Sequence, residues 1–556
     1  MISALLLAAC RPPAPAGPPP TVRIRIAAIN DFHGALYEST VRGHDGVAYG
    51  GLPWLVAAVD HLRAEAPSLV LLDAGDQFQG SWPVNASAGL GAVQAMNLLG
   101  LDAAAVGNHE FDYGREALSA AVAQAEYPFL TANVHEDGAP WQPEGVQGWT
   151  VIERAGKRIG VVGLSTVDTP TTTVPAHVAG LTFQDGVEAV RALLPALQEA
   201  RLDATVLVGH LTGSCRPAGY LDPGPPCTPD GEIGRLLTEL PPGSFDVMVL
   251  GHAHTLLAHR QGDTFLLESR AKGQAIGQVD LVFGPDGLDR DASRVLPHWP
   301  IVHPPADPGC SGAPFPVDPL SVGGTRLSPH PEAIALIAEL EARAGSLCEP
   351  IACASKPLLR NRTGESALAD WMADAMRAAF PGADIAVQNS GGVRADLAAG
   401  TVRRQDLQRV MPFDNRAVLV ELSGSQIRTM LRIGSSGAHG ILQVSGLSYA
   451  TDPGGSGGSD LDGDGSIAPW EHDHLCQTIL VGDTPLDPAA TYRVITSDFL
   501  LAGGDHLGPA LSDAMVIETG PLVREAMYDY ASATAGCIGA APIIDPDRPR
   551  IGSCER

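Results

Sequence analysis

Residues 22–34 read Val-Arg-Ile-Arg-Ile-Ala-Ala-Ile-Asn-Asp-Phe-His-Gly, and this stretch decides the fold. From Val22 to Ile29 the residues alternate as a strand does, and the chain then turns abruptly to Asn30, Asp31 and His33. The same arrangement recurs downstream. The apolar run Ser68–Leu72 ends in Asp73-Ala74-Gly75-Asp76, and Ala103–Val106 ends in Gly107-Asn108-His109-Glu110-Phe111-Asp112. Ala204–Val208 leads to Gly209-His210, and Asp246–Leu250 leads to Gly251-His252-Ala253-His254. Arg158–Leu164 is a further short run. Between the first two, Leu52, Leu55, Val56, Val59 and Leu62 fall at helical spacing. Strands alternating with helices from Val22 to about Phe283 predict a layered α/β domain. Ligands in such sheets sit beyond the carboxyl ends of strands, so Asp, His and Asn are delivered to one edge. A lone Asp-x-His or Gly-His-x-His is an ordinary solvated turn. Five such clusters in order, each after a strand, point to a metal centre.

Further along, residues 300–329 are rich in Pro and Gly, which suggests an interdomain connection. A helix over Pro331–Ala344 would present Ile334, Ile337 and Leu340 on one face, and a second α/β segment follows over about 350–540. A length of 556 residues allows two to four domains at roughly 150 residues each. A content of 45% hydrophobic and 18% charged residues suits large cores and argues against a disordered chain. The formal charge of −27 argues against coating nucleic acid or anionic membrane, since phosphate polymers demand Lys and Arg. No stretch reaches the ~20 apolar residues of a membrane-spanning helix.

The order D-x-H, G-D, G-N-H-E, G-H, G-H-x-H resembles the calcineurin-like metallophosphoesterase family across the whole first segment. The resemblance implies a four-layer αββα domain over residues 22–299. It also implies two divalent ions (Mn, Zn, Co or Fe): Asp31, His33, Asp76 and His254 around one, and Asp76, Asn108, His210 and His252 around the other, with Asp76 bridging. Hard oxygens mixed with imidazoles suit all four metals. Paired ions can activate a hydroxide and clamp the entering and leaving oxygens of an in-line displacement. His109 would then act on the transferring phosphoryl group, oriented by Asp112.

Substrate choice rests with the second segment, because such domains hydrolyse many phosphates. Arg362 and Arg394 offer planar donors for a phosphate, Phe413 and Phe499 offer rings for a base, and Asp505 can accept from ribose hydroxyls. The two segments together resemble the 5′-nucleotidase family over about residues 22–530, with Asn-Ser-Gly-Gly-Val-Arg at 389–394 and Gly-Gly-Asp-His-Leu at 503–507. The resemblance adds Asn389 and Gly391 on the nucleoside side and Asn415 as a base contact, and makes residues 348–556 an α/β substrate-binding domain. Residues 300–347 are then the linker and interdomain helix, around which substrate would be carried to the metals by rotation. The expected activity is hydrolysis of nucleoside 5′-phosphates. A 2′,3′-cyclic-nucleotide 2′-phosphodiesterase/3′-nucleotidase and a UDP-sugar hydrolase share this layout. The reading from a different class is a non-catalytic nucleotide-binding surface protein. None of these takes a nucleic-acid polymer as partner, and the oligomeric state is left open.

Two smaller signals stand apart. Residues 452–471 form an insertion in which Asp460, Asp462, Asp464, Ser466 and Glu471 sit at positions of a twelve-residue calcium loop, an expected structural Ca site. Leu7-Ala8-Ala9-Cys10 resembles a bacterial lipobox, followed by a Pro-rich spacer to residue 21. It implies a lipid anchor at Cys10 as the only membrane contact and a periplasmic or cell-surface location. Of nine cysteines, setting aside Cys10 leaves an even eight, which suggests disulfides of unspecified pairing.

Overall fold

The computed structural model describes residues 21–40, 47–213, 215, 227–229, 231–303, 320–322, 325–452, 454–455 and 457–554. Cys10 and its lipobox lie outside the described residues.

The first domain stacks two sheets. One runs in the order Gly287–Pro300, Ala275–Gly284, Val22–Ile29, Val70–Asp73, Ala103–Ala105, Phe129–Leu130, Val146–Gln147. The other runs Trp149–Arg154, Lys157–Ser165, Ala204–His210, Val247–Gly251, Thr264–Ser269, Leu256–Gln261. Alternation along each strand decides what faces what. Ile24, Ile26 and Ala28 enter the core between the sheets with Val70, Leu72, Val206, Val208, Val247 and Val249. Their neighbours Ala27, Ile29 and Leu71 point outward, against the helices Leu52–Glu65 and Leu90–Leu99. Leu207, Met248 and Leu250 point to the opposite outer layer, against the helices Gly186–Glu199 and Glu232–Glu239. The result is the four-layer αββα arrangement. Each fully buried Ile or Val in it stabilises by about 1.5–3 kcal/mol.

The strands that carry the chemistry are parallel neighbours. Ile29 lies opposite Asp73 and His210 opposite Gly251, so their carboxyl ends open on one edge. The helix Pro331–Ala344 buries Ala333, Ile337 and Leu340 in the same core as the first domain's outer helices, and Val302–His303 still pairs with Ala48–Gly50.

The second domain is built on a five-stranded mixed sheet in the order Gln443–Ser445, Ile385–Gln388, Thr491–Ser497, Arg416–Ser423, Met515–Leu522. Ala386, Leu419 and Ile495 face the helices Ala367–Ala378 and Val523–Ala533 through Trp371, Met372, Ala375 and Met527. Ile385, Val387, Val418 and Val494 face the helix Gly424–Ser435 through Ile427, Met430 and Leu431. Ser366 caps the first of these helices by accepting from the Ala369 N–H, and so ends the Arg362 loop. Disulfides join Cys215 to Cys227, Cys353 to Cys537 and Cys476 to Cys554, and Cys348 is also oxidised. Two of these bridges span 184 and 78 residues of chain, a pairing that the even cysteine count left open. Across the domain boundary the Asn85 amide donates to the Pro412 carbonyl at 2.7 Å, while the Tyr37 hydroxyl, donating to Glu341 at 2.6 Å, ties the helix Pro331–Ala344 to the first domain.

Candidate active site

Each strand end breaks into a sharp turn. Asp31, His33, Asp76, His252 and His254 all adopt positive φ, between 47° and 83°. Non-glycine residues in this region cost of order 1–3 kcal/mol each and persist only where surrounding contacts hold them. The contacts here are specific. Glu110, fully buried, accepts four backbone N–H groups: Asp76 (2.9 Å) and Gly107 (2.6 Å) on one oxygen, Gln77 (2.7 Å) and Phe78 (3.2 Å) on the other. It therefore clamps the Asp76 turn to the Asn108 turn. Asn30 ties the two sheets together, accepting from the Ser269 N–H and donating to Asp31 Oδ2, both at 2.6 Å.

Two groups of side chains converge. Asp31, His33 and His254 form one, and Asp76, His210 and His252 form the other, with the donor atoms of each group within 4.8 Å of one another. In the first, His254 Nε2 stands 3.1 Å from Asp31 Oδ1 and 3.2 Å from His33 Nε2. In the second, His210 Nε2 stands 3.1 Å from Asp76 Oδ2, 3.1 Å from Asn108 Oδ1 and 3.2 Å from His252 Nδ1. Asp76 Oδ2 is also 3.9 Å from His33 Nε2, which places it between the groups. Donors held at about 2.1 Å from one ion stand about 3.0–3.4 Å apart, so these spacings fit metal coordination. The tautomer fits as well. His210 Nδ1 lies 2.9 Å from the Ala74 carbonyl and is its donor, leaving Nε2 as a lone-pair ligand.

The electrostatics call for cations. Burial opposes charge on Asp31 and Asp76, but His254 beside the first and His210 beside the second hold both carboxyls below the usual range. Burial opposes charge on His210 too, yet Asp76 draws its pKa up to about 10. Burial and His210 push His252 down to about 3, and burial and Arg394 push His33 down, so both are neutral imidazoles ready to bind. Buried carboxylates held ionised in this way need positive charge beside them; a protonated His210 supplies part of it here, and divalent ions would supply it once His210 gives up its Nε2 proton to become a ligand.

His109 sits at the rim. Its N–H donates to Asp76 Oδ1 at 2.9 Å, and its Nδ1 meets Asp112 Oδ2 at 2.6 Å. Asp112 is held in turn by the Thr173 hydroxyl at 2.9 Å. Burial works against a charged His109, but Asp112 and Asp76 outweigh it and raise the pKa.

From the second domain, Arg394 reaches to 3.4 Å from His33 Nε2, and the Phe413 ring packs 5.8 Å from both the His109 ring and the Arg394 guanidinium. Arg394 Nη1 is 3.5 Å from the Gly391 carbonyl. Asn389 and Asp505 follow parallel neighbouring strands and meet, Nδ2 donating to Oδ2 at 2.8 Å. Arg362 is exposed, within electrostatic reach of Arg394 and Asp505. Asn415 is buried, and its carbonyl accepts from the Val523 N–H. Phe499 packs against the Gly504 turn in the other core of this domain, and no ring contact joins it to Phe413 among the described residues.

In the acidic insertion the exposed Asp460, Asp462 and Asp464 gather their carboxylates within 4.8 Å. Asp464 accepts from the Ser466 N–H and hydroxyl. Glu471 is buried, and its carboxylate accepts from the backbone N–H groups of Leu461 and Ala468. Glu110 and Asn30 are the organising residues that sequence reading missed. Both stand beside recognised ligands, but what they hold is backbone distant in the chain.

The sequence matches the calcineurin-like phosphoesterase family over residues 24–256 and the 5′-nucleotidase C-terminal domain family over residues 347–513. A probable 5′-nucleotidase of Treponema pallidum is 26% identical, over 87% of this chain and 86% of its own length. Cell wall protein Lmo0130 of Listeria monocytogenes is 26% identical over 87% of this chain, which spans 64% of that protein. Among solved structures, a 5′-nucleotidase precursor from Thermus thermophilus superposes with a TM-score of 0.73 at 25% identity, covering 96% of this chain and all of that one. The chain belongs to the family that joins a calcineurin-like phosphoesterase domain to a 5′-nucleotidase C-terminal domain, and it is a hydrolase of phosphoric esters.

Proposed function

We propose that this enzyme hydrolyses nucleoside 5′-phosphates to nucleoside and phosphate. The observation that carries the reading is Arg394 of the second domain, 3.4 Å from His33 of the metal centre and on the same segment as the Asn389–Asp505 pair. A phosphate at the metals would meet a guanidinium, and the attached sugar would meet a carboxylate.

Asp31, His33, Asp76 and His254 would hold one divalent ion, and Asp76, Asn108, His210 and His252 the other. Such a pair supplies Lewis acidity to the phosphoryl oxygens and makes water a nucleophile near neutral pH. Arg394, with Arg362, orients and neutralises the phosphoryl group. His109, its Nδ1 engaged by Asp112, keeps Nε2 for the substrate and holds a proton there for the departing oxygen. Phe413, seated against His109, closes one side of the site to water. Phe413, Phe499, Asn415, Asn389 and Gly391 are the base-side and nucleoside-side contacts of this reading. The ions are Mn, Zn, Co or Fe, and the Asp460–Glu471 loop would take a structural Ca. An exported, lipid-anchored form fits the disulfides and the relative named as a cell wall protein. No helix among the described residues is long and apolar enough to cross a membrane.

The test is phosphate release from AMP, ATP, UDP-glucose, 3′-AMP and 2′,3′-cyclic AMP, with Mn²⁺ and with EDTA. Metal-dependent turnover fastest on a 5′-nucleotide is expected. Preference for the 3′ or cyclic substrates would move the assignment to the cyclic phosphodiesterase. No turnover with any divalent metal would leave a binding protein.

A further inference from the structure

Asp505 and the residue after it are both left-handed, at φ 52° and 61°, although neither is glycine. Two such residues in succession cost of order 1–3 kcal/mol each, and the turn would relax unless it were gripped. It is gripped from two sides. On one side Phe499 lies against the turn so closely that a Cβ on Gly504 would come within 2.5 Å of its ring. On the other, the His506 imidazole lies face to face on Trp470, with ring centroids 4.6 Å apart and planes 2° from parallel. His439 flanks His506 at 5.0 Å, and it lines the same hollow as Asn389 and Asp505.

Trp470 comes from the 452–471 insertion and is itself fixed. It is buried in the second domain's core, within the turn Pro469–Glu471. The Glu471 carbonyl accepts from Arg432 at 2.8 Å, and Arg432 belongs to the core helix Gly424–Ser435. The rigid partner in the stack is therefore Trp470, and the strained one is His506.

We propose that Trp470 is a positioning residue for Asp505, acting through the His506 stack, so that the acidic insertion sets affinity for the nucleoside part of the substrate. This rests on the reading of Asp505 as the ribose contact. Without the indole face the turn can relax toward right-handed backbone, swinging the Asp505 carboxylate off Asn389 and out of the hollow. The phosphate end, built from the metal ligands, Arg394 and Arg362, takes no part in the Trp470–His506 stack, although Arg362 lies within electrostatic reach of Asp505.

The experiment compares Trp470→Ala, Trp470→Leu and Trp470→Phe in the metal-loaded, full-length protein. Substrates are AMP and an aryl phosphate that lacks ribose. For Trp470→Ala and Trp470→Leu, KM for AMP should rise about tenfold, the size of one hydrogen bond to a charged group, with kcat within twofold. Aryl phosphate turnover should stay within twofold. Trp470→Phe, which restores a ring, should bring KM back to within about threefold of the unaltered protein. Trp470→Leu fills much of the same volume without a stacking face, so a folding defect confined to the alanine variant does not decide the matter. An unmoved KM in both ring-less variants overturns the proposal, as does an equal fall on AMP and on the aryl ester. If the unaltered protein turns over the aryl phosphate but no ribose-bearing substrate, the functional reading fails first and this proposal with it.

Discussion

Replacing Glu110 with Gln would test whether the metal loops are held by this one carboxylate. Its two oxygens accept four backbone N–H groups from two turns, at Asp76–Phe78 and at Gly107, that are about 30 residues apart in sequence. Gln has the same shape, but its NH₂ must occupy one oxygen's place and there faces two donors. A buried N–H left unsatisfied costs about 1–3 kcal/mol, so two would cost roughly 2–6 kcal/mol. An opposing effect reduces this. Burial and then Asp76 push the Glu110 carboxyl up to about 7, so removing its charge recovers part of the cost of burying it. The net loss should lie near the lower end, about 2–3 kcal/mol. For a domain of this size that lowers the melting temperature by roughly 4–9 °C. Catalysis should suffer more. Asp76 and His109 leave their positions together, and a misplacement of about 1 Å costs on the order of a hundredfold in kcat. Scanning calorimetry and phosphate release on the metal-loaded variant give both numbers. A melting temperature within about 1 °C and kcat within about threefold of the unaltered protein would sink the argument, because the ligand side chains alone would then be holding the turns.

Asp112→Asn leaves the His109 hydrogen bond in place but removes the charge that favours a protonated ring. The rate should fall about 10²–10⁴-fold, with binding of a non-hydrolysable nucleotide unchanged, and steady-state kinetics with equilibrium titration would check it. Asp370 is fully buried, and burial lifts its carboxyl to about 8 against the pull of Arg550, with Glu365 adding to the rise. The folded carboxyl therefore keeps its proton long after the unfolded one, with its ordinary value of 3.8, has lost it. Stability should decline as pH rises from about 4 to about 8, and level off above that. Asp370→Asn should flatten that decline and melt higher than the unaltered protein at about pH 8.5. Parallel melting curves at about pH 5.5 and 8.5 would show that the pair carries no such linkage.

Much of this was legible from the sequence because the informative residues are contiguous with the runs that make the strands. A strand and the ligand that closes it fall within a dozen residues, as in Val22–His33, so period and chemistry are read together. The helix positions Ile337 and Leu340 were legible from their spacing in the same way and are buried together in the first domain's core. What resisted reading is held by contacts between distant backbone. Glu110 accepts from other turns, Cys353 finds Cys537 across 184 residues, and Arg394 meets His33 only because the two domains abut. The stack of His506 on Trp470 was equally hidden, since a ring-to-ring contact between two loops leaves no spacing pattern in the chain.

The disulfides have a consequence for how the enzyme wears out. Cys476 lies between Cys353 and Cys537 in the chain, and its partner Cys554 lies beyond both, so the two bridges interlock. The acidic segment around Asp460–Ser466 is exposed and open to proteases. A cut there leaves Cys353 on one fragment and Cys537 on the other, still joined. The nicked protein would travel as one piece on a gel until a reductant is added, and the Asn389 and Asp505 halves of the nucleoside pocket would stay tethered. An enzyme built this way tolerates a cut at its acidic loop without shedding its substrate domain.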